Sequence, residues 1–215
     1  MAEVQYHGIE FEDIIIKSIT GFSKIDYDRF KVGGHTSSMD IIKDLHSDKN
    51  YSIKSSSGPL YLSDVNRFMN HCKNDDFTII LGIWSQLNDI KRYNMIYEID
   101  ITPNLWNFLW GNIIQEDIMQ FIRYVKEIPA GKQGQLDHRN LWKELRTSIY
   151  SKGKGLVNID AKIDSKTQRR VQCSIRFNEL ISNSDVKYRE YTDKYRGIEL
   201  PYDQKSNQRS KSKRP

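Results

Sequence analysis

The chain has few of the residues that mark secreted, metal-scaffolded or membrane proteins. Its 215 residues include two cysteines, Cys72 and Cys173, whose separation fits neither a zinc site nor a redox pair. We therefore expect two reduced thiols in a cytoplasmic protein. No apolar run approaches the roughly eighteen residues that span a bilayer, so we expect no membrane partner. The five histidines have no zinc-ligand spacing, and no glycine-rich loop has P-loop spacing.

Positive charge is concentrated in one segment of the sequence. The formal net charge is +5, and residues 203–215 carry +4 of it through five basic residues and one aspartate. Such a segment either follows DNA phosphates without sequence preference or is a solubilising, disordered tail. The charge on the rest of the chain is too small for composition alone to indicate nucleic-acid binding.

Two short fragments carry the main chemical signal. Asp40 alternates with apolar neighbours in a predicted strand at 39–45, and Lys54 lies in a second predicted strand at 51–55. A carboxylate and an ammonium on neighbouring strands can meet at one point. The carboxylate can hold a hard cation, and that cation lowers the pKa of a bound water. The ammonium can orient this water or offset developing negative charge. The pattern indicates metal-assisted phosphodiester hydrolysis.

An upstream helix supplies a third group. Apolar side chains recur at helical spacing between His7 and Ile19, which predicts a helix with a core-facing stripe. Glu12 flanks this stripe and can lean toward a site at its edge. Glu10 is the alternative carboxylate. The first turn of a helix favours acids through its dipole in any case, which is the non-functional explanation for these residues.

The order of these elements resembles the PD-(D/E)xK nuclease superfamily and, within it, the type II restriction endonucleases. Gly8, Phe11 and Glu12 match the helix start that carries an accessory carboxylate. Asp40 matches the family aspartate, and Lys54 matches the family lysine. The resemblance implies an α/β fold with a restriction-endonuclease-like core, in which helices flank a mixed central sheet. It also implies Mg²⁺-dependent cleavage of double-stranded DNA at a short specific sequence. Asp40 and Glu12 would hold the metal, and Lys54 would position the attacking water.

The sequence departs from the family pattern at Ser52, where the family has Glu or Asp two residues before the lysine. A serine hydroxyl can hold a metal-bound water, and the backbone carbonyl of Ile53 can remain a direct ligand. The departure affects the number of metal ions more than the reaction. Glu98 and Asp100 share one face of a predicted strand. They either replace the missing carboxylate or form the solvated polar face of an edge strand.

The remaining pattern predicts a helical and β-hairpin elaboration after the core. We expect residues 1–102 to form the catalytic core and residues 103–202 to contribute DNA recognition. Residues 203–215 are expected to be a disordered basic tail. The elements predicted from composition and periodicity are an extended segment at 24–32, strands at 77–84 and 93–101, helices at 64–72, 114–128 and 136–150, and a hairpin at 156–163 and 170–177.

The predicted hairpin is the candidate DNA-recognition element. Arginine reads guanine and glutamine reads adenine in the major groove, which admits a two-stranded ribbon. Strand alternation places Arg170, Gln172 and Ser174 on one face. The alternative is an exposed basic hairpin with one core face. The candidate DNA-binding residues are Lys166, Gln168, Arg169, Arg170, Gln172 and Arg176.

The resemblance also implies partners beyond the DNA itself. A palindromic target favours a symmetric homodimer, and a cognate DNA methyltransferase would protect host DNA. Two alternatives stay open. The first is a structure-selective repair nuclease or junction resolvase. The second is a DNA-binding protein whose nuclease site has decayed, which the departure at Ser52 favours.

Overall fold

A computed structural model describes residues 3–31, 39–71, 76–129, 132–152, 155–163 and 169–205. No helix in these ranges is long and apolar enough to cross a membrane. The helices are α1 (Glu3–Thr20), α2 (Lys24–Phe30), α3 (Val65–His71), α4 (Pro103–Trp110), α5 (Gln115–Glu127), α6 (Lys132–Asp137), α7 (Arg139–Lys152) and α8 (Phe177–Ile181). The strands are β1 (Asn50–Ser56), β2 (Leu60–Asp64), β3 (Phe77–Leu87), β4 (Ile90–Ile101), β5 (Val157–Ile163), β6 (Arg169–Ile175), β7 (Lys187–Tyr191), β8 (Lys194–Tyr195), β9 (Ile198–Glu199) and β10 (Tyr202–Lys205).

The chain divides into two compact units that are interleaved in sequence. The first unit takes its described residues from Met1–Gly58, Phe77–Asp100 and Lys187–Pro215. The second unit takes them from Pro59–Asp76 and Ile101–Val186. One unit boundary falls close to the division expected at residue 102. Residues from Lys187 onward, however, belong with the first unit and not with the segment that precedes them.

A mixed five-stranded sheet forms the centre of the first unit. Its order is β1-β3-β4-β10, and β7 also pairs with β4. Strands β1 and β3 are parallel, whereas β7 and β10 run antiparallel to β4. A parallel pair requires a long crossover connection, and the chain makes it through Pro59–Asp76 of the second unit. The expectation of an α/β fold with a mixed central sheet flanked by helices is confirmed.

Helix α1 covers the sheet next to β1, as its apolar stripe predicts. Phe11, Ile15 and Ile16 are buried in a core that also contains residues of β1 and β4. The ring of Phe11 stacks on Tyr93 of β4 with 4.5 Å between centroids. A Cβ at Gly82 of β3 would overlap both rings, so the close approach of α1 to the sheet requires glycine there. This packing fixes the helix that carries Glu12.

The segment after α1 was predicted to be extended, and that prediction is wrong. It forms helix α2, whose N-cap Ser23 accepts a hydrogen bond from the backbone N–H of Asp26 at 3.2 Å. The backbone N–H of Lys24 donates to Asp13 Oδ1 at 2.6 Å, which ties the start of α2 to α1. Capping and this side-chain contact outweigh the weak propensity of a short segment.

The strand predicted at 39–45 is also wrong, because only a single bridge between Ile41 and Tyr51 forms there. The phenol of Tyr27 accepts a hydrogen bond from the Ile42 backbone N–H and donates to the Leu45 carbonyl, each at 3.0 Å. Asp44 has a φ of 65°, which is incompatible with a continuing strand. Asp40 therefore lies in a bend just before the bridge.

The second unit contains an antiparallel sheet in the order β2-β6-β5. The hairpin expected after residue 155 is confirmed, with Val157 opposite Ile175 and Ile163 opposite Arg169. Helices α3 and α5 pack against β6, and α7 packs against β5. Helix α4 was not predicted, although Thr102 caps it by accepting from Leu105 N at 3.3 Å and Pro103 follows at its first turn.

Candidate functional site

The outer edge of β1 brings together the groups of the candidate site. Strand β1 pairs with β3 on one side. On its other side, Tyr51 exchanges backbone hydrogen bonds with Asp40 and Ile41 at 2.9–3.1 Å. The next residue on this edge is Ile53, whose N–H donates to Asp40 Oδ2 at 2.6 Å. The backbone of β1 thus positions the Asp40 carboxylate directly.

Lys54 reaches the same edge from β1. Its Nζ lies 3.3 Å from Asp40 Oδ2 and donates to the Ile53 carbonyl at 2.9 Å. The Lys54 and Asp40 side chains are each about one-fifth exposed. The ammonium is therefore held near the carboxylate while both stay accessible from one side. The structure thus places the two main residues predicted from the sequence in contact.

Glu12 of α1 lies within electrostatic range of both. Burial raises the pKa of the Glu12 carboxyl above its ordinary value, and the negative charge of Asp40 raises it further, against the opposing effects of Lys24 and Lys54. Glu12 Oε1 forms an ion pair with Lys24 Nζ at 2.7 Å. The charges of Asp40 and Lys54 thus both act on the Glu12 carboxyl, in opposite directions.

Glu10, the alternative helix carboxylate, has a different role. Its Oε2 accepts a hydrogen bond from Gln204 Nε2 of β10 at 2.7 Å. Glu10 therefore connects α1 to the opposite end of the sheet. Of the two acids, Glu12 is the one that the structure brings to Asp40.

Helix α2 adds three residues that the sequence interpretation missed. Lys24 Nζ lies 3.0 Å from Asp28 Oδ2, and Lys31 Nζ lies 2.7 Å from Asp28 Oδ1. Lys31 also donates to the backbone carbonyl of Asp40 at 3.2 Å. Burial alone would raise the pKa of Asp28, but the hydrogen bonds from Lys31 and Lys24 hold the pKa below its usual value. The i, i+4 and i, i+3 spacing of these charges could have indicated the ion pairs in a helix. The spacing has no such meaning in the extended segment that was predicted.

Ser52 is buried, with 4% of its surface exposed, and pairs with Ile79 of β3. Strand alternation places Ser52 on the same face as Lys54 and opposite Tyr51 and Ile53, which pack in the core with α1. Ser52 is thus the residue that precedes Lys54 on this face of β1.

The oxygen atoms at this edge fit a hard divalent cation. Two carboxylates, from Asp40 and Glu12, and the Ile53 carbonyl are the donor types that Mg²⁺ prefers. The repulsion that raises the pKa of Glu12 would be offset by such a cation. Among the described residues, no group of three or more His, Cys, Asp or Glu side chains is arranged to hold a metal ion. A cation here would thus depend on two carboxylates and backbone or solvent oxygen.

Glu98 and Asp100 of β4 each have their own set of polar partners, which does not include Asp40 or Lys54 among the contacts described. Asp100 accepts from Thr78 Oγ1 at 2.7 Å and pairs with Lys49 at 3.4 Å. Glu98 is 3% exposed and contacts two arginines and two tyrosines. Strand β4 pairs with β3 on one side and with both β7 and β10 on the other. It is therefore not an edge strand, and the interpretation as a solvated edge strand is wrong.

The hairpin of the second unit presents some of the predicted DNA-binding residues and buries others. Arg169 donates to the carbonyls of Ile128 at 2.9 Å and Pro129 at 2.5 Å, which anchors the hairpin to the end of α5. Arg170 is exposed and lies opposite Lys162 in the ladder.

Other predicted residues of the hairpin are less available. Gln172 is half-buried, and Ser174 on the same face is 5% exposed. Arg176 is exposed and pairs with Glu179 at 2.7 Å. Lys166 and Gln168 lie outside the described residues. The predicted face is therefore accessible mainly around Arg170.

No family model, curated protein or solved structure matches this chain.

Proposed function

We propose that the protein is a Mg²⁺-dependent type II restriction endonuclease that cleaves double-stranded DNA at a short specific sequence. One observation carries the proposal, namely the contact of Lys54 with Asp40 at the outer edge of β1, with Glu12 within electrostatic range of both. An accessible pair of carboxylates beside an ammonium suits phosphodiester hydrolysis, in which negative charge develops on phosphoryl oxygens.

The residues divide the work by their chemistry. Asp40, Glu12 and the Ile53 carbonyl would hold Mg²⁺, which when bound polarises a phosphoryl oxygen and lowers the pKa of water. Lys54 donates hydrogen bonds from an ammonium fixed by Asp40 and the Ile53 carbonyl. It orients the attacking water and offsets charge on the phosphate. Ser52 supports a water on the same face of β1.

The proposed fold assignment is a restriction-endonuclease-like core. The parallel pair of β1 and β3 with α1 packed over it supplies the elements that this assignment needs. The tail residues expected to be disordered from 203 onward begin in β10, where Asp203 pairs with Arg92 at 2.8 Å. Any phosphate-following role thus belongs to residues beyond Lys205, which lie outside the described residues.

DNA recognition is proposed for the β5–β6 hairpin. Arg170 and its neighbour Lys162 present two positive charges in register, and Gln172 follows on the same face as Arg170. Arg169 holds the hairpin in place through two backbone carbonyls and does not face DNA. By the same resemblance, a homodimer would read a palindrome in the cytoplasm and a cognate methyltransferase would protect host DNA.

A second function, DNA binding without cleavage, is favoured by one feature of the site. Each proposed metal-ligand group already contacts an ammonium, since Lys24 pairs with Glu12 and Lys54 contacts both Asp40 and the Ile53 carbonyl. A decayed nuclease could retain such a charge-balanced cluster as a structural element.

The test is incubation of purified protein with DNA of known sequence and Mg²⁺. A restriction enzyme gives discrete bands whose ends map to one sequence. Smearing or junction-selective cuts would indicate a structure-selective nuclease, and a mobility shift without cutting would indicate the binding protein.

Two substitutions test the assigned residues. Asp40→Ala and Lys54→Ala should each reduce the cleavage rate about a thousandfold or more, by analogy with removal of a key electrostatic group. DNA binding should survive in both. The exposed Asp48→Ala and Lys43→Ala are charge-matched controls that should cleave at close to the wild-type rate. Near wild-type cleavage by either site variant would overturn the assignment.

A further inference from the structure

The candidate site has balanced charges before any cation enters. Glu12, Asp28 and Asp40 contribute three carboxylates, and they contact the ammonium groups of three lysines. A divalent cation added to this set would bring two more positive charges close to those ammoniums. Because like charges repel strongly in a partly buried site, cation binding favours a lysine that can withdraw.

Two of the three lysines are held by contacts that they cannot exchange. Lys31 is fixed by Asp28 and the Asp40 carbonyl, and its side chain is 3% exposed. Lys54 is fixed by Asp40 and the Ile53 carbonyl, both parts of the site itself. Lys31 is too buried to withdraw toward solvent, and both described partners of Lys54 are groups that the proposal assigns to the metal.

Lys24 differs from both. Its ammonium contacts Glu12 at 2.7 Å and Asp28 at 3.0 Å, and its side chain is 16% exposed. It can release Glu12 and keep Asp28. The backbone of Lys24 is fixed independently, because its N–H donates to Asp13 Oδ1 at 2.6 Å. Release therefore needs only side-chain rotation.

We infer that the Lys24 ammonium occupies the cation position at Glu12 in the metal-free protein and retreats to Asp28 when a divalent cation binds. Lys24 is thus a built-in competitor that sets the cation concentration at which the site fills. The inference rests on the proposed function in one respect, since it places the metal at Glu12 and Asp40.

Removal of the competitor should tighten cation binding. Lys24→Met keeps an unbranched apolar stem close to the length of the lysine stem and removes the charge. Binding of Mg²⁺ alone, measured by titration calorimetry at pH 8 without DNA, should be roughly tenfold tighter, because a charge-assisted hydrogen bond no longer has to be broken. Lys24→Gln, which retains a donor to Asp28, should tighten binding in the same direction. Lys24→Arg keeps the charge and should stay within about threefold of wild type.

Two controls separate competition at Glu12 from a general effect of net charge. Lys43→Met removes the same charge from an exposed position and should change Mg²⁺ affinity less than twofold. In a Glu12→Gln background, Lys24→Met should also change affinity less than twofold, because there is no shared carboxylate to compete for.

The outcomes distinguish failure of this inference from failure of the proposed function. If the wild-type protein binds Mg²⁺ and neither Lys24→Met nor Lys24→Gln binds it more tightly, Lys24 does not compete with the cation. That result leaves the proposed nuclease function intact. Equal tightening in Lys43→Met overturns the competition as well. If no variant and no wild-type protein binds Mg²⁺ at millimolar concentration, both the inference and the proposed metal site are wrong.

Discussion

The first unit contains two carboxylate centres that handle negative charge in opposite ways. Glu98 is 3% exposed and is surrounded by two tyrosines and two arginines. Its Oε1 accepts from Tyr195 at 2.9 Å and Arg196 at 3.2 Å, and its Oε2 contacts Tyr191 and Arg189 at 3.2 Å each. Both carboxylate oxygens are fully engaged by planar guanidinium groups and phenols.

The centre at the edge of β1 contrasts with this in exposure and in the type of donor. Asp40 and Glu12 are each about one-fifth exposed in their side chains, and lysines are their cationic partners. A lysine ammonium sits on a flexible stem, whereas guanidinium forks hold fixed geometry. The difference teaches that an acid with both oxygens fully paired joins strands together, whereas an acid whose cationic partners are flexible ammoniums can accept another cation.

Loss of the saturated centre should have the largest effect on stability. Glu98→Ala leaves the buried Tyr195 hydroxyl without its carboxylate and removes two partly exposed ion pairs. We expect a loss of about 3 kcal/mol in the free energy of unfolding, mostly from desolvated donors. Urea denaturation measures it.

The matched variant for this experiment is Glu199→Ala. Glu199 is 74% exposed in its side chain and pairs only with Lys194 among the contacts described. Its loss should cost under about 1 kcal/mol. Equal costs for the two variants would erase the contrast between the centres. Mg²⁺ affinity of folded Glu98→Ala should stay within about twofold of wild type.

Smaller effects on stability, of opposite sign, are expected when the two acids that contact Lys24 are neutralised. Asp28→Asn should destabilise the protein at pH 7 by on the order of 1 kcal/mol, because it removes two charge-assisted contacts. Glu12→Gln should raise the melting temperature at pH 7, because burial and Asp40 disfavour its charge. Thermal melts of the two variants against wild type measure the signs.

The pH dependence of these two effects follows from the directions of the pKa shifts. The pKa of Asp28 is lowered in the fold, so its contribution is present above the ordinary value of about 3.9 and is lost as pH falls through the folded value. The pKa of Glu12 is raised, so its penalty develops as pH rises through the folded value and is absent well below about 4.3. If the stabilities of Asp28→Asn and Glu12→Gln, relative to wild type, changed in the same direction with pH, the opposite pKa shifts would be contradicted.

The smallest effect is expected at Ser52. Ser52→Ala removes one buried hydroxyl, which is worth about 1 kcal/mol, so cleavage should slow roughly fivefold. Ser52→Glu places a carboxylate on the same face as Lys54 and should lower the Mg²⁺ concentration needed for the proposed cleavage. Ser57→Ala, in the exposed turn after β1, is the control. An inactive Ser52→Ala would show an essential role for the hydroxyl. An unchanged Mg²⁺ curve for Ser52→Glu would show that position 52 does not face the metal.

Local pattern predicted the elements whose periodicity matches their burial. Helix α1, strands β1, β3 and β4, and the β5–β6 hairpin all follow from apolar spacing. Helix α2 could not be predicted in this way, because its seven residues are ordered by Ser23 and by Asp13 from another helix. The strand at Asp40 was lost because side chains take the hydrogen bonds on either side of the Ile41–Tyr51 bridge. The Lys43 N–H donates to Asn50 Oδ1, and the Ile53 N–H donates to Asp40 Oδ2.

The contact between Asp40 and Lys54 was predictable from their order and residue types, but the full set of charges around them was not. Lys24 and Lys31 were assigned to an extended segment, where their helical spacing to Asp28 has no meaning. Strands β7 and β10 are short and mostly exposed, so they lack an apolar pattern. Their pairing with β4 depends on tertiary contacts that a local window does not contain.

The pairing of β10 with β4 also determines when this protein can finish folding. Gln204 contacts Glu10 across 194 positions of sequence, and Tyr202 pairs with Tyr93. Contacts so distant in sequence form slowly, because a long loop must close before they are made. While a ribosome is still adding residues before Tyr202, the sheet that positions β1 lacks one of its strands. A nascent chain therefore carries Asp40 and Lys54 before the contact between Gln204 and Glu10 can tie α1 to the last strand of the sheet.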